Sequence, residues 1–342
     1  MAFITLNKAH LFHNLHILAI KAGGKEKLMA VLKDNAYGHG LRIMAELCHE
    51  FGLKRAAVKN VEEAKSIADL FDEVLVLVDA VPTEKLAHNI SFSAHSYAML
   101  ESLHDGENIH LSIDTGMHRN GIKENEIERA MEIIVQKKLQ IKGVFTHFRS
   151  ADELNSEFFW QRSLFERAKK RIKALAQQYG LPKIAFHSCN SAGLLRTDTL
   201  GDDAFARVGI AMYGYNPLHP SFNPVLLKPV LALWAEKLST RVLKKGERVG
   251  YGGVYEAPYD EVISTYDIGY GDGFFRFNGI TSIAMADGSV SKGRMSMDSF
   301  CLGGDAKEVC MFENATTLAQ EFKTITYEIP TKLSPALKRI II

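Results

Sequence analysis

The chain has 342 residues, 46% hydrophobic and 24% charged, with Lys+Arg 41 against Asp+Glu 40 and a formal net charge of +1. That length suits two domains, or one large domain with an appendage, and the composition is that of a folded protein, which excludes a disordered chain and a fibre. The even charge gives no global pull toward nucleic acid or an acidic membrane. Cys48, Cys189, Cys301 and Cys310 are scattered with no CxxC pair, which excludes a disulfide scaffold, gives no zinc spacing and fits a reduced, cytoplasmic setting with no metal. No stretch approaches the ~18 apolar residues of a membrane helix. The opening MAFITLNKAHLF lacks the charged head, apolar run and cleavage site of a signal peptide.

FITLN (3–7) reads as an opening strand. From about residue 27, short apolar runs alternate with amphipathic stretches: KLMAVLK (27–33), RAAVKN (55–60), EVLVLVD (73–79), NISFSAHS (89–96), NIHLSID (108–114), IKGVFTHF (141–148), KIAFHSCN (183–190) and FARVGIAMYG (205–214). Their length and their Val, Ile, Ala and Phe content are those of buried strands. The clearest helix spans about Asn155 to Tyr179, with Phe158, Leu164, Phe165, Ala168, Ile172, Leu175 and Ala176 at helical spacing, stopped by Gly180 and Pro182. A second spans about Glu124 to Lys138. Eight such strands predict an α/β fold, a (β/α)8 TIM-like barrel over residues 8–221; a doubly wound sheet is the alternative. After about 222 the texture turns to alternating residues and glycine turns, in LKPVLALWAEKLSTRVLKKGERVGYGGVY, EVISTYDIGYGDG and ITSIAMADGSVSKGRMSMDSFCLGG. This predicts a C-terminal all-β domain over 222–342, with strand 1–7 packing on it.

Catalytic residues of such barrels lie at the carboxyl ends of the strands. The first strand ends in Lys33, followed by DNAYGHG, and the fifth in DTGMHRNG. The sixth ends in THF, the seventh in HSCNSAG, and the eighth carries Arg207. Lys33 has two readings. It reaches to water along its stem, or, desolvated, it becomes an amine able to link a carbonyl cofactor. The loop with Tyr37 and His39 carries glycines that suit close backbone approach. In HSCNSAG, Ser191 and nearby N–H groups suit a phosphate, or Asn190 or Ser191 caps a helix. His147 and His187 stand in apolar strands, where a lone histidine is ordinarily a hydrogen-bonded core residue. Arg207 is harder to explain by packing: a buried guanidinium does not deprotonate and has to face a negative or acceptor group. Tyr251 and Tyr270 lie between glycines, as packing tyrosines of hairpin turns do, and Met297 in SMDSF reads as core filler.

Together VLKDNAYGHG, IDTGMHRNG, THFRSADE, HSCNSAG, RVGIAMYG, VGYGGVY, IGYGDGFFR, GRMSMD and TYEIP resemble, in order and over nearly the whole chain, the alanine racemases, fold-III enzymes that use pyridoxal 5′-phosphate. The resemblance implies interconversion of L- and D-alanine, supplying D-alanine for peptidoglycan, by a homodimer with shared sites. It assigns Lys33 to the covalent link with the cofactor and Tyr37 to its side. Arg119 would contact the cofactor's phenolic oxygen and the substrate carboxylate, and Arg207 would face the pyridine nitrogen. Ser191, Tyr327, Gly209 and Ile210 would hold the phosphate, with Asn190 nearby. Tyr251 of the partner subunit would be the second base, oriented through His147, and Met297 of the partner subunit would bind the substrate carboxylate through its N–H. Asp152, Tyr270, Arg276 and Arg294 resemble the family's substrate entryway.

Racemisation takes a proton from one face of the α-carbon and returns one to the other, so two bases on opposite faces are required. Lys33 and Tyr251 answer that need, though with ordinary pKa values of about 10.4 for a lysine and about 10 for a tyrosine each has to be tuned. A permanently charged Arg207 disfavours a proton on the cofactor's pyridine nitrogen and so suits a racemase better than a transaminase. Three features depart from the family. Ser112 stands where many members carry a carbamylated lysine that braces the arginine, so Arg119 would lean on a bound anion such as chloride or on another side chain. Asp34 stands where a small residue is usual, and strand alternation would point it away from Lys33. The tail TKLSPALKRIII is short for the family. The alternatives are a racemase of broader specificity, a fold-III basic amino acid decarboxylase, and a non-enzymatic pyridoxal-phosphate homeostasis protein. Arg207 speaks against the second and the C-terminal domain against the third.

Overall fold

The computed structural model describes residues 1–84, 86–279 and 282–342. Contacts divide it into two compact units, one of residues 12–36 and 41–228, the other of 1–11, 37–40 and 229–342.

In the first unit all eight expected strands form. They are β2 (Leu28–Val31), β3 (Arg55–Val58), β4 (Glu73–Val76), β5 (Ile90–Ala94), β6 (Asn108–Ser112), β7 (Gln140–Phe145), β8 (Ala185–His187) and β9 (Ala206–Val208), with β1 (Phe3–Leu6) in the other unit. Every pairing is parallel, in the order β8-β7-β6-β5-β4-β3-β2-β9. Between β8 and β9 the seam is bridged by Ala204 N–H to Phe186 O at 2.7 Å and Arg207 N–H to Cys189 O at 2.9 Å. The sheet is thus a nearly closed barrel, not a doubly wound sheet. Its strands are almost wholly buried, which is why they read as unbroken apolar runs.

The helices between them follow their apolar faces. Helix Ile127–Gln136 buries Ile127, Ala130, Met131 and Ile134. Helix Glu157–Gln178 buries Phe158, Phe165, Ala168, Ile172, Leu175 and Ala176, and ends where Gly180 takes the left-handed φ of +63°. Two polar residues, Gln161 and Lys169, share that buried face, while Leu164 is only half-buried.

The second unit is built around β10 (Leu231–Leu243), one long strand that bends at two register shifts and serves several partners. β1 lies antiparallel to its first residues, Phe3 opposite Trp234 with the rings stacked 6.3 Å apart, and the C-terminal strand runs parallel to β1. The other strands are β11 (Arg248–Val249), β12 (Tyr255–Glu256), β13 (Glu261–Tyr266), β14 (Ser291–Lys292), β15 (Phe300–Gly303), β16 (Glu308–Phe312) and β17 (Lys338–Ile341). The main sheet runs β14-β15-β13-β10-β1-β17, with β16 also on β10. Leu243, Val249, Ala257 and Ile263 form a local core under it. Two short helices, Ala315–Glu321 and Glu328–Thr331, interrupt the strands, so this unit is mostly strand and not wholly so. Ile280 and Thr281, which open the alternating stretch ITSIAMADGSVSKGRMSMDSFCLGG, lie outside the described residues. No helix among the described residues is long and apolar enough to cross a membrane.

Candidate active site

The carboxyl ends of the barrel strands gather the expected polar groups. Lys33 follows β2 by two residues and is half-buried. Directly after it Asp34, Asn35, Ala36 and Tyr37 all have φ between 52° and 55°, a left-handed helical turn without a glycine. Left-handed backbone costs about 1–2 kcal/mol per residue for L-residues, so the turn persists only where its surroundings over-determine it. Three contacts do so: Asn35 N–H donates to Glu63 Oε1 at 2.8 Å, Leu41 N–H to Asn35 Oδ1 at 2.8 Å, and Asp34 pairs with Lys59 at 2.8 Å. The Asp34 charge is therefore engaged by Lys59, whose own pKa the pair raises.

Arg207, in the middle of β9, is buried and meets only acceptors. Its Nη1 donates to His187 Nδ1 at 2.7 Å and His187 O at 2.9 Å, and its Nη2 to Thr146 O at 2.7 Å and Ser188 O at 3.2 Å. Among the described residues no carboxylate reaches ion-pair distance of it. Burial pushes the guanidinium down to about 10, with Cys189 and Asp203 acting in the opposite sense; it stays charged at neutral pH.

His147 lies two residues past β7. The residue is exposed. Loss of hydration lowers its pKa first, followed by the charges of Arg207, Arg119 and Lys33, to about 3. Access to water tempers the first effect and leaves the second, so the ring is neutral at pH 7. The three cations that act on it are three of the expected site residues, which lie near one another in the barrel unit. Arg119 sits in the loop after β6, shaped by Asp114 Oδ1, which accepts from Gly116 N–H at 2.9 Å and His118 N–H at 3.0 Å. No hydrogen bond or ion pair to Arg119 exists among the described residues. Ser112 does not brace it; the Ser112 carbonyl accepts from Ile122 N–H at 2.8 Å.

Both readings of HSCNSAG hold, divided between its residues. Asn190 caps the helix Ser191–Arg196 through Gly193 N–H at 2.8 Å. The Ser191 hydroxyl instead accepts from Gly209 N–H at 3.0 Å and Ala211 N–H at 3.3 Å, beside Ile210. Ala211 had no signal in the sequence. Asp152, in the loop after β7, is exposed, and its carbonyl accepts from His219 N–H at 2.9 Å.

In the other unit Tyr37 is buried with its ring 6.1 Å from that of Tyr327. Tyr251, Tyr270, Arg276, Arg294 and Met297 come from loops that approach closely. A Cβ on Gly252 would meet Arg294 Nη1 at 3.2 Å, Gly271 N–H donates to Met297 O at 2.8 Å, and Arg276 lies 5.9 Å over the Tyr270 ring. Tyr251 is 66% exposed and Met297 55%, so neither is the packing residue that its local pattern suggested.

These groups fit a phosphorylated carbonyl cofactor: an amine at a barrel rim, a hydroxyl and backbone N–H groups for a phosphate, and a donor-only cation for a ring nitrogen. The four cysteines are free thiols, and no metal-binding cluster occurs among the described residues. The family models for the alanine racemase N-terminal and C-terminal domains match residues 6–217 and 230–341. An alanine racemase of a Nitratiruptor species is 47% identical over 99% of this chain and 99% of its own length. The crystal structure of alanine racemase from Bacillus anthracis with bound L-Ala-P has TM-score 0.87 and 27% identity, covering 100% of this chain and 95% of that one. A histidine racemase from Leuconostoc mesenteroides has TM-score 0.82 and 25% identity, covering 100% and 98%. The chain belongs to the alanine racemase family, and is an isomerase whose cofactor is pyridoxal 5′-phosphate.

Proposed function

We propose that the protein interconverts L- and D-alanine by two-base proton transfer, with Lys33 on one face of the α-carbon and Tyr251 of the partner subunit on the other. When bound, the cofactor supplies the electron sink that makes the α-proton removable. Lys33 Nζ and the phenol of Tyr251 then take and return that proton. Arg119 and the N–H of Met297 of the partner subunit hold the substrate carboxylate. Ser191, Tyr327 and the N–H groups of Gly209 and Ile210 take the phosphate, the Gly209 N–H turning to it from Ser191 Oγ, with Asn190 fixing the helix of Ser191 and Tyr37 lining the cofactor. Neutral His147 orients the Tyr251 phenol by accepting its hydrogen bond and lends it no charge. Asp152, Tyr270, Arg276 and Arg294 form the entryway. Such an enzyme acts as a cytoplasmic homodimer and supplies D-alanine for peptidoglycan.

The observation that carries this reading is Arg207: buried, charged, and without a carboxylate at ion-pair distance among the described residues. Placed at the ring nitrogen, a donor-only cation would keep a proton off it; the cofactor would then supply a weaker electron sink, which would favour return of the proton to the α-carbon. That disfavours transamination and the decarboxylase alternative. Incubation of the protein with L-alanine and pyridoxal phosphate, followed by resolution of the enantiomers, tests it. Approach to equal L- and D-alanine is expected; carbon dioxide release, or turnover of histidine or serine faster than alanine, would overturn it.

A further inference from the structure

Two buried histidines and a half-buried glutamate behind Arg207 have no part in the scheme above. His187 Nε2 lies 2.8 Å from His110 Nδ1, and His110 Nε2 lies 2.7 Å from Glu73 Oε1. Glu73 in turn lies 3.4 Å from Arg55. Glu73, His110 and His187 come from β4, β6 and β8, the alternate strands whose side chains meet inside a barrel, where apolar residues are the rule. The fold makes room for them. A Cβ on Gly143 would fall 2.4 Å from His110 Nδ1. The His187 ring is stacked between Phe145, 5.2 Å away at 15°, and Phe205, 4.4 Å away at 28°.

We propose that Glu73 is a positioning residue for Arg207, acting through a one-way hydrogen-bond relay in which His110 and His187 are both neutral Nε2–H tautomers. The inference rests on the reading that places Arg207 at the cofactor's ring nitrogen. Its direction follows from the two ends. Arg207 has only donors, so His187 Nδ1 at 2.7 Å must present a lone pair. His187 Nε2 therefore carries the proton and donates to His110 Nδ1. His110 Nε2 then carries its proton and donates to Glu73, which has to be an ionised acceptor. A Glu73 that donated a proton to His110, or a charged His110, would reverse the chain and set a His187 N–H against an Arg207 N–H. Burial, then the charge of Arg207, pushes His187 well below the ordinary histidine range. For Glu73, burial works to raise the carboxyl, but the hydrogen bond from His110 and the charge of Arg55 work against it, and the carboxyl lies below the usual glutamate range.

The relay does two things for Arg207. It fixes the guanidinium against His187 and three carbonyls, so its remaining face keeps one orientation. It also places the counter-charge two imidazoles away, so the positive end acts on its neighbour at nearly full strength, where a directly paired carboxylate would cancel it.

The first test is the nitrogen-15 spectrum of the histidines in the cofactor-loaded protein between about pH 6 and pH 8. His110 and His187 are each expected to show one protonated nitrogen, Nε2, across the range. An Nδ1–H tautomer or an imidazolium at either overturns the relay. The second test compares Glu73→Gln and His187→Phe per cofactor-loaded site. The expected result is a kcat about tenfold lower in Glu73→Gln and lower still in His187→Phe, KM for alanine within about twofold, a shifted absorption band of the bound cofactor, and partial recovery in Glu73→Asp. An unchanged kcat and band in both variants would leave the three residues a purely structural network and overturn the proposal. A wild-type protein that fails to load the cofactor or to racemise alanine sinks the underlying function instead, with the histidine tautomers still readable.

Discussion

Lys169 and Arg207 are both buried cations of the barrel unit, and the fold treats them in opposite ways. Lys169 lies 2.9 Å from Glu166, 2.6 Å from Asp202 and 2.6 Å from Asp203. Burial works to lower its pKa, but these carboxylates outweigh it and raise it. Asp203 is completed by Ser188 N–H at 2.6 Å and Ser188 Oγ at 2.5 Å. Arg207 meets carbonyls and a neutral imidazole, and burial wins. A cation kept to join a helix to a loop is neutralised where it stands. Arg207, the cation proposed to serve the chemistry, is held by neutral dipoles and left with its field intact.

Exchanging the sign of the second cation breaks this contrast most severely. Arg207→Glu is expected to lower racemisation of alanine by about a thousandfold and to raise transamination relative to it, measured as pyruvate formed per D-alanine formed; an unchanged ratio counts against the role given to Arg207. Lys169→Met probes the other side. It leaves Asp203 buried without its cation and is expected to cost about 3 kcal/mol in denaturant unfolding, with kcat per folded molecule within about twofold. A smaller stability loss with a large fall in kcat would reverse the assignment of the two cations.

Gly143→Ala sharpens the comparison by disturbing the relay and leaving the Lys169 cluster alone. Its methyl cannot fit against His110 without movement, and a cost of about 2 kcal/mol is expected, with a change in the His110 nitrogen-15 signals. The smallest effect lies in acid. Bonds from Lys169 and then Lys173 hold Asp202 down at about 2, from 3.8. A carboxyl depressed by folding stabilises above its unfolded value, and that contribution is lost as pH falls through its folded value. Wild type should therefore melt above Asp202→Asn at about pH 5, with the gap narrowing by about pH 2.5. Because Asp202 is half-exposed the gap is small; a gap that widens toward acid would contradict the sign.

The sequence revealed what is local. Each barrel strand is a continuous apolar run, and Lys33, His147, Ser191 and Arg207 stand within a few residues of a strand's carboxyl end, so the rim was legible before its geometry. Arg207 also announced its need for acceptors, and it has four. The relay was not legible, because its members lie 20, 77 and 37 residues apart and only barrel closure brings them together. Lys169 carried no signal in the sequence, because only tertiary contact with Asp202 and Asp203 buries it. The left-handed turn at 34–37 contains no glycine to mark it. ATTLAQE, amid alternating strands, gave no sign that it would be helical.

The most direct test of the account is reduction of the cofactor-loaded protein with borohydride, followed by peptide mass spectrometry. The account predicts a pyridoxyl tag on Lys33 and nowhere else, absent from Lys33→Ala, which should also have no measurable racemisation. A tag on another lysine, or none on a protein that racemises alanine, would contradict it.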